Sequence, residues 1–251
     1  PPEAVRIYIL GGMQHAVGGL PLADIDAEGV HTQQLFHCLD YRPLLRAALV
    51  NLDRWVTSGH AAPPSQHPKI SDGTAVSPET VLNTLETVPG VQAPDHLRRF
   101  TRLDFGPDPD VPTKVPPGIG SLYPNLVSAV DGDGNETSGI LMPYITVPLA
   151  TYTGWNLRHS GIGGAGEIMS TGGASGGTLK GSTIPFPITA EERQASGDPR
   201  PPVEERYGSK DGYLGKVEQA AQALQVEGYL LSEDMATVME QAGQLYEAFA
   251  G

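Results

Sequence analysis

The chain has 251 residues, room for one large domain or two small ones. It is acidic, with 16 Lys+Arg against 29 Asp+Glu and a formal net charge of -13 at pH 7, which argues against a nucleic-acid partner or an anionic membrane surface. The one cysteine, Cys38, excludes an internal disulfide and a cysteine-built zinc site, and no apolar run reaches transmembrane length.

Residues 5–10 (Val5-Arg6-Ile7-Tyr8-Ile9-Leu10) form a short β-branched run that predicts a strand buried on both faces, as in a parallel sheet. Gly11-Gly12 lets the chain leave the sheet in a tight turn, and His15 follows where open α/β sheets gather their chemistry, beyond the carboxyl end of a strand. Residues 11–39 read as a long loop that also carries His31 and His37. Asp40 is placed as an N-cap, with Pro43 in the first turn of a helix. Leu44, Leu45, Ala48, Leu49, Leu52, Trp55 and Val56 lie on one face of that helix, and Gly59 ends it. Strand, loop and helix together read as the last β-loop-α unit of a doubly wound sheet. A lone strand this early needs neighbours, which are expected upstream of residue 1. No signal peptide is legible at this N-terminus.

Residues 60–76 read as a Pro/Ser/Gly connector, and Ser77-Pro78 opens a short helix over 78–86. From about residue 100 to 186 the pattern is loops and short strands. Residues 126–130 and 138–141 flank Asp131-Gly132-Asp133-Gly134-Asn135 and predict a β-hairpin, with a further strand at 144–147. The tail is helical. Thr189 with Glu192 fits a capping box, Ser209 opens a helix closed by Gly228, and Ser232 caps a last helix whose apolar stripe runs from Met235 to Phe249.

Several motifs match in letters but not in context. Gly173-Ala174-Ser175-Gly176-Gly177 has the G-x-S-x-G spelling, yet its flanks are not strand and helix, and no histidine follows Ser175. Gly161-Ile162-Gly163-Gly164-Ala165-Gly166 has the G-x-G-x-x-G spelling without a strand before it, so a surface loop is the better reading. Asp131, Asp133 and Asn135 alternate like calcium ligands, but Glu136 stands where an EF-hand needs glycine. Asn135-Glu136-Thr137 is a glycosylation sequon that matters only in a eukaryotic secretory route. No metal or cofactor is expected. His15 remains open between a loop histidine bonded to backbone and a general base whose ordinary pKa lies near physiological pH.

Four stretches carry a resemblance. They are Val5-Arg6-Ile7-Tyr8 leading to Gln14-His15; Asp40-Tyr41-Arg42-Pro43-Leu44-Leu45-Arg46-Ala47; Pro148-Leu149-Ala150-Thr151-Tyr152-Thr153-Gly154-Trp155-Asn156-Leu157-Arg158; and Gly197-Asp198-Pro199-Arg200 with Glu204-Glu205-Arg206-Tyr207. Together they span nearly the whole chain and resemble a bacterial family of alpha/beta-hydrolase domain-containing proteins. The resemblance implies the C-terminal part of a longer hydrolase, with most of the sheet, the nucleophilic serine and the acid upstream, and with His15 as the triad histidine. One departure is local: Phe36-His37-Cys38-Leu39 stands where the family carries Asn-Pro, which leaves His37 as a loop residue rather than a second base.

The resulting expectation is an α/β chain in three stretches. Residues 1–59 are the end of a hydrolase core, 60–186 a loop and hairpin extension, and 187–251 a helical tail. The function expected is carboxylic ester hydrolysis by the complete protein, with small-molecule esters and the upstream part of the same protein as partners and this segment inactive alone. Tyr152, Trp155, Asn156 and Arg158 combine aromatic, amide and guanidinium groups that suit a substrate wall, and equally an interdomain contact. The rivals are a non-catalytic module that binds carbohydrate or protein, and a hydrolase fold lacking its serine. The compartment stays open between cytoplasm and export.

Overall fold

The structure, a computed structural model, describes residues 3–97, 99–108, 110–169 and 179–251. Its strands form three small antiparallel sheets. The central one joins β1 (Leu35–Phe36), β7 (Ser182–Pro185) and β6 (Ala150–Thr153) in that order. The others pair β2 (Ala75–Val76) with β5 (Val127–Ser128) and β3 (Thr101–Asp104) with β4 (Gly118–Leu122). Pairing therefore crosses from the first fifty-nine residues into the extension.

The N-terminal run corrects the sequence reading. Residues 5–10 join no named sheet among the described residues. They make two single parallel bridges, Tyr8 with Gln66 and Leu10 with Ile140. Tyr8 and Leu10 pack on the core, while Val5, Ile7 and Ile9 stay exposed. That period-two alternation marks a half-buried strand, not one buried on both faces.

Helix α1 (Arg42–Ser58) has the expected length, with Pro43 in its first turn and Gly59 at φ 72° as its left-handed stop. Its cap differs. Tyr41 holds the N-cap position, and Asp40 sits one residue earlier, accepting from the Arg42 N–H at 2.8 Å and from the Arg42 guanidinium. Its inward face is also narrower than the spacing predicts. Pro43, Leu44 and Ala47 are buried, but Leu45, Leu49, Leu52 and Val56 face solvent, Leu49 at 68% and Val56 at 78% exposure.

Helix α2 (Pro78–Leu85) starts where expected, capped by Ser77. The predicted hairpin does not form as such. Its turn is real: the Asp131 N–H donates to Asn135 O at 2.8 Å, and the Asp131 carboxylate accepts from the Asp133 and Asn135 N–H groups. Beyond the Val130–Glu136 bridge the two arms part, one to pair with β2 and the other to meet Leu10. The predicted strand at 144–147 is instead a single helical turn, α3 (Pro143–Thr146), because Pro143 suits a first helical position and Tyr144 turns inward to donate to Val238 O at 2.8 Å.

The tail follows its caps. Helix α4 (Ala190–Ser196) starts at Thr189, whose hydroxyl accepts from the Glu192 N–H, while Glu192 Oε2 accepts from the Ile188 N–H at 2.7 Å. Helix α5 (Val203–Tyr207) follows, then α6 (Lys210–Glu227), capped by Ser209 and stopped by Gly228. The last cap shifts. Ser232 opens a 3-10 turn, and Asp234 stands at the N-cap of α7 (Met235–Ala250), where its carboxylate also binds Arg46 of α1. The core lies where α6 and α7 meet α3, β6 and the start of α1, with Tyr144, Tyr152, Tyr213, Val217, Val238 and Ala242 all fully enclosed. No described helix is long and apolar enough to cross a membrane.

Candidate active-site loop and adjoining cavity

The loop after residues 5–10 is set by close approaches that only glycines permit. A Cβ on Gly11 would lie 2.5 Å from both Leu141 and Ser138 O, and Gly12 holds φ +70°. Across the loop, Gly154 and Gly181 leave room for the Met13 carbonyl and for the Gln14 and His37 side chains. Residues 12–14 thus thread between β6, β7 and the 136–141 segment.

Two anchors flank His15. Buried Gln14 accepts from the Gly181 N–H through Oε1 at 2.6 Å. The Tyr41 hydroxyl donates to the His15 carbonyl at 2.7 Å. The His15 ring itself is exposed and has no hydrogen-bond partner among the described residues. No carboxylate of the described residues orients it.

His37 is the opposite kind of histidine. It is enclosed, its Nδ1 accepts from the Leu39 N–H at 3.3 Å, and its Nε2 therefore carries the proton and donates to Gly12 O at 2.7 Å. Burial pushes its pKa down to about 4, against the raising effect of the Gly12 carbonyl. Its ring meets Tyr152 edge-on, with centroids 5.7 Å apart. It is a neutral strut under the His15 loop.

Below the loop lies a cavity of about 360 Å³, walled by α2, β5, the 130–136 turn, the 152–155 stretch and Ile168. Tyr152 and Trp155 both line it. Tyr152 is buried within β6, and its N–H donates to Asn135 Oδ1 at 2.9 Å; Trp155 is half-buried. Asn156 and Arg158 do not line it. The fully buried Asn156 amide bridges Gln34 and Gly181 carbonyls at 2.9 and 3.2 Å and accepts from the Leu157 N–H. Arg158 donates to Ile162 O and Gly163 O, which makes the 161–166 glycine run a loop tied down by one guanidinium. His15 is not part of the cavity wall; the connection runs through Gly12 and Met13.

Glu136 is the cavity's acid, and sequence reading passed over it as a failed calcium position. It faces the Gly12 N–H and the Ser128 hydroxyl, and burial raises its pKa above the ordinary glutamate value despite both donors. Asn135 beside it is fully enclosed, with Nδ2 donating to Ala150 O at 3.1 Å, so in the folded chain it is no glycosylation acceptor. Asp133 pairs with Arg206, and Thr151 binds the Asp133 carbonyl. The calcium-like spacing is thus spent on a turn and its anchors, and the described residues hold no cluster of three His, Cys, Asp or Glu suited to a metal.

The last stretch of the resemblance is scaffolding for this turn. Arg200 is buried against Asp198 and donates to Thr151 Oγ1, Ile184 O and Pro185 O at 2.8–2.9 Å. Arg200 and Arg206 both lie over the Phe186 ring, at 4.9 and 4.3 Å. The G-x-S-x-G spelling around Ser175 falls outside the described residues.

The described chain mixes helices with short strands, as an α/β protein does. The family model for the alpha/beta hydrolase domain matches residues 2–240, and the chain belongs to that family. Membership points to hydrolase-type function. No curated protein and no solved structure matches the chain.

Proposed function

We propose that the chain is the C-terminal part of a serine hydrolase acting on carboxylic esters, and that His15 is its general base. A serine hydroxyl from the upstream part attacks the ester carbonyl. His15 takes the hydroxyl proton and then returns it to the leaving alcohol, and backbone N–H groups hold the oxyanion. An upstream carboxylate completes the triad by fixing the imidazole.

The observation that carries this reading is the clamp on His15. Gln14 and Tyr41 fix the backbone on both sides of a ring that is exposed and unbonded among the described residues, which leaves it available to an incoming group, unlike the enclosed and bonded His37. Support also comes from the uncovered apolar side chains nearby. Ile7 and Ile9 on the outer face of the first segment, and Leu49, Leu52 and Val56 on α1, suit packing against further strands of a sheet. Arg6 over Trp55, at 4.5 Å, ties the two faces together. Trp155 is the substrate-facing member of the wall, next to Asn156, whose amide ties the stretch to Gln34 and Gly181, while the Tyr152 ring packs into the core beside His37.

The second reading, a module without catalysis, draws on the purely structural bonds of Asn156 and Arg158. The two part on a simple assay. The chain by itself should not release p-nitrophenol from p-nitrophenyl acetate, whereas the longer protein should, with a burst from acyl-enzyme. Hydrolysis by this chain alone that survives His15→Ala would overturn the proposal.

A further inference from the structure

The cavity beside Glu136 has more chemistry than a packing defect needs. Its lining is apolar almost throughout, with Val81, Leu82, Leu85, Val130 and Ile168 closing around one carboxyl group. Val81, Leu82 and Trp155 are only partly buried, so the space opens to solvent and is not a sealed void. Its volume lies in the range of ligand sites, about 300–1,000 Å³. Among the described residues no lysine or arginine lines it.

The carboxyl group sits beside the turn at Gly11 and Gly12, where the Gly12 N–H and the Ser128 hydroxyl favour its charged form. Partly exposed Trp155 stands in the same wall, and an indole ring attracts cations. A carboxylate, an indole and an apolar sleeve complement one kind of group: a hydrophobic body that ends in a hydrogen-bond donor, best a cationic one. A carboxylate ligand meets repulsion from Glu136 there.

We propose that this cavity binds a hydrophobic ammonium group, with Glu136 as its counter-charge and Trp155 against its apolar body. The assignment deepens the hydrolase reading by naming what one side of the ester carries, and it rests on that reading only for the ligand being a substrate. Because Gly12 bridges Glu136 and the loop that ends at His15, a group seated there lies on the cavity side of that loop.

The test is a titration of Trp155 fluorescence in the folded chain carrying Trp55→Phe, the only other tryptophan. The probes are 2-phenylethylammonium, 2-phenylethanol and 3-phenylpropionate. The ammonium should bind tightest and the carboxylate weakest, separated by about tenfold or more. Glu136→Gln should bring the ammonium down to the level of the alcohol and leave the alcohol unchanged, while Val81→Phe, which narrows the cavity, should weaken all three. Equal binding of ammonium and carboxylate, an ammonium affinity indifferent to Glu136→Gln, or no saturable signal from any probe overturns the proposal. If Glu136→Gln does not fold, the order of the three probes on the Trp55→Phe chain decides alone. Binding is read without turnover, so His15→Ala must keep the same order. Loss of that order with His15-dependent hydrolysis intact removes this inference alone, and the converse removes only the hydrolase reading.

Discussion

Helices α1 and α7 carry similar apolar patterns and meet opposite fates. On α7, Val238, Ala242 and Leu245 are buried against α6 and α3. On α1, Leu45, Leu49, Leu52 and Val56 repeat at helical spacing and remain in water. Periodicity says that a helix has an apolar face; it does not say that the chain in hand covers that face. The difference divides the molecule. The tail, β6, β7 and the 131–136 turn form a closed structure, while residues 5–10 and α1 present uncovered apolar side chains.

The largest effect expected from breaking the closed side is at Arg200. Arg200→Ala strips the partner from buried Asp198 and frees the carbonyls of Ile184 and Pro185, and should cost about 3–5 kcal/mol. Chemical unfolding measures it, and a loss under about 1 kcal/mol would mean that the turn is held some other way. Leu245→Ala removes a fully packed side chain and should cost about 2–5 kcal/mol in the same experiment.

His37 sharpens the contrast through pH. Its folded pKa of about 4 lies below the unfolded value of 6.5, so its stabilising contribution is complete above about pH 6.5. As pH falls from there toward 4, the unfolded chain takes up a proton that the folded chain refuses, and stability drops by up to about 1.4 kcal/mol per pH unit. His37→Gln should flatten that slope relative to the unsubstituted chain, and identical slopes would show that the ring is not kept neutral by the fold. The smallest effect belongs to the open side. Leu49→Ala should move the stability of this chain by no more than about 0.5 kcal/mol. A loss as large as that for Leu245→Ala would show that α1 is already covered.

Local signals were well written in the sequence. Ser77, Thr189 and Ser209 cap the helices that follow them, and Gly59, Gly197 and Gly228 end theirs, because caps and left-handed stops depend on a few neighbouring residues. Long-range pairing was not legible. The arms around residues 131–135 look like a hairpin until β5 finds β2 and Ile140 finds Leu10, choices made by packing far away in sequence. Residues 144–147 read as a strand by composition, and Pro143 with the Tyr144 contact to α7 decided otherwise. At the candidate site, Trp155 borders the cavity, while the Tyr152 ring turns into the core beside His37, an orientation its spacing alone does not give. Glu136 was missed because its neighbours invited a metal reading.

The central claim is that His15, clamped at its backbone and with its ring unpartnered among the described residues, moves the proton in ester hydrolysis. The most direct measurement is kcat for a small chromogenic ester in the longer protein, compared between the unsubstituted form and His15→Ala at matched thermal stability. A fall of about 10²–10⁴-fold is expected. Turnover that stays within about twofold of the unsubstituted protein would take His15 out of the mechanism.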